Sequence, residues 1–548
     1  MPKRAVRFFN TTGPCNPDDH YMLPPADRLI GAQLDRYVGD QLYWVLHAPR
    51  QTGKTTFIQS WARELNATGK VAACYVTVEY AQGLREVERA MPTICEAIRD
   101  GAAVGGLPVP DVTTHALGSL LRDILGNWFK VFKTDREPTS PASMLSKILG
   151  NWAALVAPKP LVIFFDEVDV LEGETMISFL RQLRGGFATR APSVFPISIA
   201  LVGMRDLRDY LVAAKDGVAP NPGSPFNIKT DSVVIGNFQR EDIARLFAQR
   251  TEEIKQQITQ EALDYVWKQS RGQPWIVNSL LMRATMRVLT RDSAETVTLE
   301  HVEEARKQMI TARETHLEAL GERLRDPRIK RVIQAILSGD SDAPLGRSER
   351  DVEFAIDLGL ITWTSEEGFR IANPVYEEIL MRYLNSPYHD SVPPPSQFRW
   401  QHPDGSLDMD SLLKEFQKFW RRYADTWEKQ ADYMEVFPHL LLMGFLQRLT
   451  NGGGHIERES SAGSERMDIF VEYGAKKFIL EIKLLRDRNT VGGIEATGLK
   501  QIFSYRDKFD KTIPCYLIIF DRRSEGKKLP WEERISWRTE GEVTILGC

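Results

Sequence analysis

A short apolar run that leads into a glycine-lysine-threonine loop constrains the fold of this chain more than any other feature. The run spans Leu42 to Leu46, and the loop continues through Ala48 to Thr56 before a helical pattern begins. A phosphate chain needs free backbone N–H groups at a helix N-terminus, a lysine that reaches the β- and γ-oxygens, and a hydroxyl for Mg²⁺. Gly53, Lys54 and Thr55 supply these parts, so the segment predicts a nucleotide-binding loop.

A second motif strengthens this interpretation, because the loop alone is a weak signal. Ala48 stands where a first glycine is usual, and a Gly-Lys-Ser/Thr tripeptide occurs by chance in roughly one chain in four of this length. The apolar run Leu161 to Phe165 delivers Asp166 to a magnesium shell and places Glu167 where it can polarise an attacking water. The alternative, acidic residues that merely cap a buried strand, is disfavoured by the matching loop.

Four more residues belong to the predicted nucleotide-binding set. Gln51, Thr52 and Thr56 lie within the loop itself. The run Ile197 to Val202 is placed like a sensor strand, and Arg205 follows it. Arg205 either reads the γ-phosphate or a neighbouring protomer, or simply faces solvent at the end of the strand.

The order of apolar runs predicts the fold class. Between Gln41 and Val202 strand-like runs alternate with helical stretches, which is typical of a parallel sheet covered on both faces. From Gln239 to Thr315 the periodicity is helical, so a helical lid follows the α/β core. Within this lid the turn Arg271 to Trp275 either carries Arg271 or the backbone towards the nucleotide or is an ordinary interhelix break.

The segment from about Pro327 to Leu384 predicts a third, winged-helix module. Two helical stretches precede a β-hairpin, and Asn373-Pro374 restarts a helix, since asparagine caps helices and proline suits their first position. The prolines Pro393 to Pro395 then mark a stiff interdomain linker.

Composition limits the partners and the compartment. The net charge of −4 excludes an overall basic coat for nucleic acid, so contact with DNA would come from local patches. The segment Lys414 to Tyr423 interleaves basic and aromatic residues. The favoured interpretation is that its aromatic residues are buried while its basic side chains extend to solvent. The alternative is that the segment binds phosphates and stacks on bases. No apolar run approaches the span of a bilayer, and the five scattered cysteines exclude a disulfide framework and a zinc site. We expect a cytoplasmic protein with no membrane partner.

An acid and a lysine inside an apolar strand mark a candidate catalytic site near the C-terminus. In the strand-like run Phe478 to Leu484, Glu481 and Lys483 point to the same face, because strand side chains alternate. Asp468 begins the preceding strand-like run, so Asp468 and Glu481 could share one or two Mg²⁺ ions while Lys483 orients a water or stabilises the scissile phosphate. A second Glu-x-Lys copy, Glu253 to Lys255, has no apolar flanks and is most simply a solvated helical face.

The N-terminal motifs resemble a known family of nucleotide-binding proteins. The core looks like an AAA+/STAND-type P-loop ATPase, and Phe9 to Pro14, His20-Tyr21 and His47 to Lys54 resemble the AAA-like ATPases of prokaryotes. In that group alanine recurs at the position of Ala48. The resemblance covers roughly residues 5 to 385 and implies ATP as the cofactor, with rings or clusters as the usual assembly.

The C-terminal residues resemble the PD-(D/E)XK nuclease superfamily. That resemblance joins Asp468, Glu481 and Lys483 with Gln501 and Tyr505 on the following helix, and it implies Mg²⁺, or Mn²⁺, and DNA. Arg466-Met467 stands where the family often has a proline-containing pair, and the acid of the first helix is either Glu435 or Glu459. The alternative is a degenerate nuclease fold used for binding or scaffolding.

Together these features predict an α/β fold in which a P-loop parallel-sheet core is followed by a lid, a winged helix and a restriction-endonuclease-like domain. The predicted domains are an ATPase core (1–235), a helical lid (236–318), a winged helix (319–386), a linker (387–411) and a nuclease-like domain (412–548). The favoured function is ATP binding and hydrolysis coupled to a Mg²⁺-dependent DNA endonuclease, in prokaryotic antiviral defence or DNA repair and with a homo-oligomer as one assembly. The alternative is a nucleotide-dependent, STAND-like switch whose nuclease-like domain is inactive and binds DNA or a partner.

Overall fold

A computed structural model gives the architecture of most of the chain. It describes the residues 6–30, 33–111, 140–188, 190–204, 228–312, 315–337, 350–365, 368–389, 400–428, 441–442, 445–446, 454–458, 461–462, 465–466, 469–508, 512–523, 525–526 and 529–548. These residues form two compact units. The first holds the described residues up to 312 with Phe354–Leu360 and Ala372–Pro374, and the second holds the others from Thr315 onwards.

The first unit is built on a six-stranded sheet. Its strands are, in chain order, β1 (Leu29–Ile30), β2 (Tyr43–His47), β3 (Ala72–Thr77), β4 (Leu161–Asp166), β5 (Ser198–Gly203) and β6 (Lys229–Ile235). Their spatial order is β1-β6-β2-β5-β4-β3, and all neighbours are parallel except the short edge strand β1. The predicted parallel sheet is therefore confirmed, with strand ends within one or two residues of those expected.

Helices cover both faces of this sheet, as its apolar strands require. The helices of the core are α1 (Leu34–Gly39), α2 (Lys54–Ala67), α3 (Val87–Val104), α4 (Pro141–Leu155) and α5 (Gly173–Phe187). Every residue of β4 and β5 is buried, because α2 packs on one face and α3, α4 and α5 pack on the other. The carboxyl ends of β2 and β4 are thereby held beside the N-terminus of α2, where the loop motif lies.

Four helices follow the core in the region predicted as a lid, for which we keep that name. They are α6 (Arg240–Ile254), α7 (Gln260–Ser270), α8 (Pro274–Arg283), which continues as a π-helical turn (Ala284–Val288), and α9 (Leu299–Thr311). The N-terminal segment packs against this lid: Phe9 stacks on Phe247 of α6, and the Arg7 side chain forms an ion pair with Glu253 at 3.1 Å. The Glu253 copy of the Glu-x-Lys pattern is thus the end of a helix, as expected.

The second unit begins with the region predicted as a winged helix. It includes the helices α10 (Thr315–Arg323), α11 (Pro327–Leu337), α12 (Arg350–Asp357), whose last turn belongs to the first unit, and α13 (Pro374–His389). Between α12 and α13 an antiparallel hairpin pairs β7 (Ile361–Thr364) with β8 (Gly368–Ile371). The predicted hairpin and the predicted start of a helix at Pro374 are both confirmed. The assignment as a winged helix, like the other domain boundaries, stays a prediction.

A mixed sheet forms the C-terminal part of the second unit. Its strands are β9 (Gly454–Arg458), β12 (Ile469–Tyr473), β13 (Lys476–Leu485), β14 (Cys515–Asp521), β15 (Ser536–Glu540) and β16 (Val543–Gly547). The spatial order is β15-β16-β14-β13-β12-β9, with β13, β14 and β16 parallel and the other neighbours antiparallel. A small pair, β10 (Ser461–Ala462) and β11 (Glu465–Arg466), lies between β9 and β12 in the chain.

Three helices accompany this sheet: α14 (Met409–Glu428), α15 (Val491–Lys508) and the short α16 (Trp531–Arg534). The basic and aromatic stripe at 414–423 lies on α14. Phe416, Phe419 and Trp420 are buried there, whereas Lys414 and Arg421 are exposed. This part of the stripe is therefore core with cationic stems, as favoured from the sequence. In the part of the chain that the structure describes, no helix has the length and apolar character needed to cross a membrane.

Candidate functional site

The loop between β2 and α2 adopts the conformation that a phosphate-binding loop requires. Gly53 has a φ of +94° and caps α2, which begins at Lys54 and so exposes its first N–H groups to the loop. The Lys54 side chain is buried, and its Nζ donates to the carbonyl oxygens of Ala48 and Pro49 at 2.8 and 2.9 Å. Burial lowers the pKa of Lys54, although Asp166 and Glu167 oppose the shift.

The predicted magnesium ligands meet each other in the structure. The Thr55 hydroxyl donates to Oδ2 of Asp166 at 2.6 Å, and the Tyr75 hydroxyl donates to the same oxygen at 3.2 Å. Asp166 is buried at the end of β4, and its Oδ1 accepts from the Glu167 backbone N–H at 3.0 Å. Burial raises the pKa of Asp166, while the hydrogen bond from Thr55 and the charge of Lys54 lower it.

Glu167 occupies a strained backbone position at the mouth of the site. Its φ of +58° lies in the left-handed region, which is costly for a residue with a side chain. Burial raises the pKa of its carboxyl to about 6, and the nearby charges of Asp169 and Asp166 add to the shift. A carboxylate with this pKa is suited to accept a proton near neutral pH.

A cavity of about 350 Å³ lies over the loop. From the predicted set it is lined by Gln51, Gly53, Lys54, Thr55, Thr56 and Glu167. Thr52 does not line the cavity: its hydroxyl donates to the Pro49 carbonyl at 2.9 Å and stabilises the loop from within. The Thr56 hydroxyl accepts from the Cys15 backbone N–H at 3.0 Å, which ties the N-terminal segment to α2.

Arg28 is a member of the site that the sequence did not reveal. Its buried guanidinium donates through Nη1 to the carbonyl oxygens of Thr52 and Gly236, at 2.8 and 2.9 Å, and lies 4.8 Å from the centre of the Phe238 ring. Burial lowers the pKa of Arg28 to about 10. Arg28 thus links the loop to the end of β6, where the chain passes to the lid.

The N-terminal segment and the lid close the other end of the cavity; the sequence suggests only one part of this end, the approach of the turn Arg271 to Trp275. Asn10, Thr11, Trp275 and Asn278 line it there. Arg271 is not one of the lining residues; it ends α7 in a left-handed conformation, and its carbonyl accepts from Asn237. The turn after Arg271 therefore carries α8, and not the arginine, to the cavity. No spacing rule in the sequence marks these positions, whose approach depends on tertiary packing.

The acid and the lysine of β13 lie on the same face, as predicted from the strand alternation. Glu481 is fully buried, and its Oε1 accepts from Nζ of Lys483 at 2.5 Å. Their neighbours on this face, Ile479 and Leu485, pack with Tyr505 of α15 in one apolar cluster. The face that carries the ion pair is therefore the face that α15 covers.

Only some of the other residues predicted for the nuclease site lie among the described residues. Gln501 is half-buried on α15, one turn before the buried Tyr505. Asp468, Glu435 and Glu459 lie outside the described residues, as does Arg205 of the nucleotide site. Ile469, which follows Asp468 in the chain, pairs with Leu480, which precedes Glu481.

Among the described residues no group of three or more His, Cys, Asp or Glu side chains is arranged to hold a metal ion.

Comparisons with known proteins give structural similarities at low sequence identity. The Walker-type ATPase PABY2304 of Pyrococcus abyssi has a TM-score of 0.44 and 13% identity, over 68% of this chain and 99% of that chain. The ORC2 protein of Aeropyrum pernix, in ADPNP and ADP complexes, has a TM-score of 0.40 and 14% identity, over 65% and 91%. Cdc6p from Pyrobaculum aerophilum has a TM-score of 0.33 and 12% identity, over 65% and 92%.

No protein-family model matches the chain. No curated protein matches it either.

Proposed function

We propose that this protein binds ATP in the cavity over the loop and hydrolyses it. The observation that carries the proposal is the meeting of Thr55 and Asp166, 2.6 Å apart, beneath a cavity that also receives Lys54 and Glu167. Lys54 would pair with the β- and γ-phosphates, and the first N–H groups of α2 would bind their oxygens. Glu167 would accept the proton of the attacking water.

Magnesium fits the residues present at this site. A hydroxyl and a carboxylate oxygen, the donors that Mg²⁺ prefers, converge at Thr55 and Asp166. The bound ion would neutralise charge on the phosphates during transfer. Tyr75 donates to the same carboxylate oxygen and so fixes its orientation from the neighbouring strand β3.

The test is phosphate release from ATP by the full-length protein with and without Mg²⁺. Asp166→Asn should slow turnover on the order of 100-fold, because it removes the carboxylate that orients the ion. Asp100→Asn is the matched control, since Asp100 is exposed on α3 and pairs with Arg99. Equal activity in the two variants would contradict the proposed role of Asp166.

We also propose that the second unit hydrolyses phosphodiester bonds of DNA with a bound metal ion. The ion pair of the buried Glu481 with the half-buried Lys483 favours this activity, because burying a carboxylate costs hydration and a strand with a purely structural role would carry an apolar side chain there. Asp468 would supply a second carboxylate to the ion, which is Mg²⁺ or Mn²⁺. Lys483 would orient a water or stabilise the phosphate, with Gln501 and Tyr505 supporting the site from α15.

Nicking of supercoiled plasmid DNA in Mg²⁺ or Mn²⁺ tests this second activity. Glu481→Gln should abolish cutting while ATP hydrolysis is retained. Glu472→Gln is the matched control, because Glu472 lies on the adjacent strand and forms a half-exposed ion pair with Lys477. If Glu481→Gln still cuts DNA, the assignment of Glu481 to a nuclease site is wrong. A wild-type protein that never cuts would instead favour the nucleotide-dependent switch with an inactive nuclease-like domain.

ATP could either activate or inhibit the nuclease, and a single variant distinguishes these two kinds of coupling. If ATP drives the nuclease, Lys54→Ala should abolish cutting; if ATP restrains it, the same change should increase cutting.

A homo-oligomer is the assembly we propose for the ATP-bound form. Mass measurement with and without a nonhydrolysable ATP analogue tests this assembly.

A further inference from the structure

The lid end of the cavity is a built polar site that the phosphate chemistry does not use. Two lid side chains hold the backbone of the N-terminal segment there. Nε1 of Trp275 donates to the Thr11 carbonyl at 3.0 Å, and Nδ2 of Asn278 donates to the Asn10 carbonyl at 2.9 Å. These bonds fix the position of Asn278 on α8 and the course of the segment across the cavity.

The same bonds fix which atom of the Asn278 amide faces away from Asn10. A backbone carbonyl can only accept a hydrogen bond, so the amide nitrogen must point to Asn10 and the amide oxygen to the other side. Asn278 is only 8% exposed and lines the cavity. Its Oδ1 is buried and has no hydrogen-bond partner among the residues that the structure describes. A buried acceptor without a donor is unfavourable unless a ligand supplies the donor.

The surroundings of this oxygen suit a flat heterocycle. Pro14, Phe238 and Leu246 also line the cavity and offer apolar surfaces. The charged groups that line the cavity lie mainly at the loop and at the ends of β3 and β4: they are Arg50, Lys54, Glu79 and Glu167, with Arg28 over the outer part of the site beside the Phe238 ring. A nucleotide whose phosphates lie at the loop would therefore direct its base or its ribose towards the lid, where the unpaired acceptor is found.

We propose that Asn278 reads the base of the nucleotide by accepting a hydrogen bond from the exocyclic amine of adenine. This inference rests on the proposed nucleotide binding and adds its base specificity. Guanine and hypoxanthine carry a carbonyl oxygen at that ring position, so they would place two acceptors against each other. A site built around a buried polar group discriminates strongly against ligands that leave it unpaired.

The experiment is competition binding on the full-length protein with labelled ATP. The competitors are ATP, ITP, purine riboside triphosphate, which lacks the amine, and 2′-deoxy-ATP. Wild-type protein should bind ITP and the amine-free analogue at least about tenfold more weakly than ATP, and it should bind 2′-deoxy-ATP within about twofold of ATP. Loss of affinity for 2′-deoxy-ATP instead, with ITP bound as tightly as ATP, would assign the acceptor to the ribose and overturn the proposal.

Substitution of Asn278 provides a second test of the base preference. Asn278→Leu should bring ATP and ITP to within about twofold of each other, chiefly through weaker ATP binding. Asn151→Leu, at an exposed position of α4, is the matched control and should keep the preference. Equal affinities for ATP and ITP in the wild type, with binding still lost in Lys54→Ala, would overturn the inference alone. Absence of any Lys54-dependent binding would overturn the proposed function as well.

Discussion

Hydrolysis of ATP should depend on the protonation of Glu167 and slow as the pH falls below about 6. Burial raises the pKa of this carboxyl to about 6, and only the ionised form can accept a proton from water. At that pKa about 90% of the groups are ionised at pH 7, about half at pH 6 and about 10% at pH 5. The value of kcat/KM at pH 5 should therefore be roughly a tenth of its value at pH 7 if the chemical step limits turnover.

The assay is phosphate release in Mg²⁺ at ATP concentrations well below KM, from pH 5 to 8 at constant ionic strength, because kcat/KM follows the pKa of the free enzyme. Asp169→Asn should move the midpoint to lower pH, because the Asp169 charge is the largest contribution to the raised pKa after burial. Glu172→Gln, on an exposed side chain paired with Arg85, should leave the profile unchanged. A rate that stays flat down to pH 5, or an unchanged midpoint in an active Asp169→Asn variant, would refute the assignment of Glu167 as the base.

The same shift predicts the stability of the Glu167→Gln variant. Since the folded pKa is raised above that of a free glutamate, the protonated group favours folding at low pH, and this contribution is lost as the pH rises through about 6. Glu167→Gln should therefore unfold at no lower urea concentration than wild type at pH 7, although it should not turn over ATP. Marked destabilisation would show that its inactivity reflects folding.

Two further predictions concern the framework of the site. Arg28→Met should lower the free energy of unfolding by about 1–3 kcal/mol, because two partly buried backbone carbonyls lose a charged donor. Urea denaturation should show less than about 0.5 kcal/mol for the exposed Arg36→Met. Gly272→Ala should lower the melting temperature more than Gly69→Ala. Both glycines have positive φ, but only at Gly272 would a Cβ lie 2.0 Å from a backbone atom, the Phe238 carbonyl oxygen.

Local patterns predicted much of the fold and the phosphate end of the site. Short apolar runs that alternate with helical stretches identify the strands of the parallel sheet. The alternation along β13 places Glu481 and Lys483 together before any tertiary contact is known. The sequence predicts that α2 starts after the loop, whereas the helix begins at Lys54, because Gly53 caps it and the loop residues Thr55 and Thr56 lie in its first turn.

The lid end of the site could not be predicted in this way. Arg28 belongs to no motif in the sequence, yet its half-buried side chain places the guanidinium over the Phe238 ring. Asn10 and Asn278 are 268 positions apart and share a hydrogen bond only because the N-terminal segment crosses the lid. Such pairs follow from packing between distant elements, for which a single sequence has no periodic signal.

Equilibrium binding of ATP to the full-length protein tests the central claim most directly. The wild type should bind one ATP per chain in the presence of Mg²⁺. Lys54→Ala should lose this binding, because Lys54 is the buried cation that the loop presents to the phosphates. The matched control Lys70→Ala, at an exposed position beyond the end of α2, should bind ATP as the wild type does. Unchanged binding in Lys54→Ala would contradict the account.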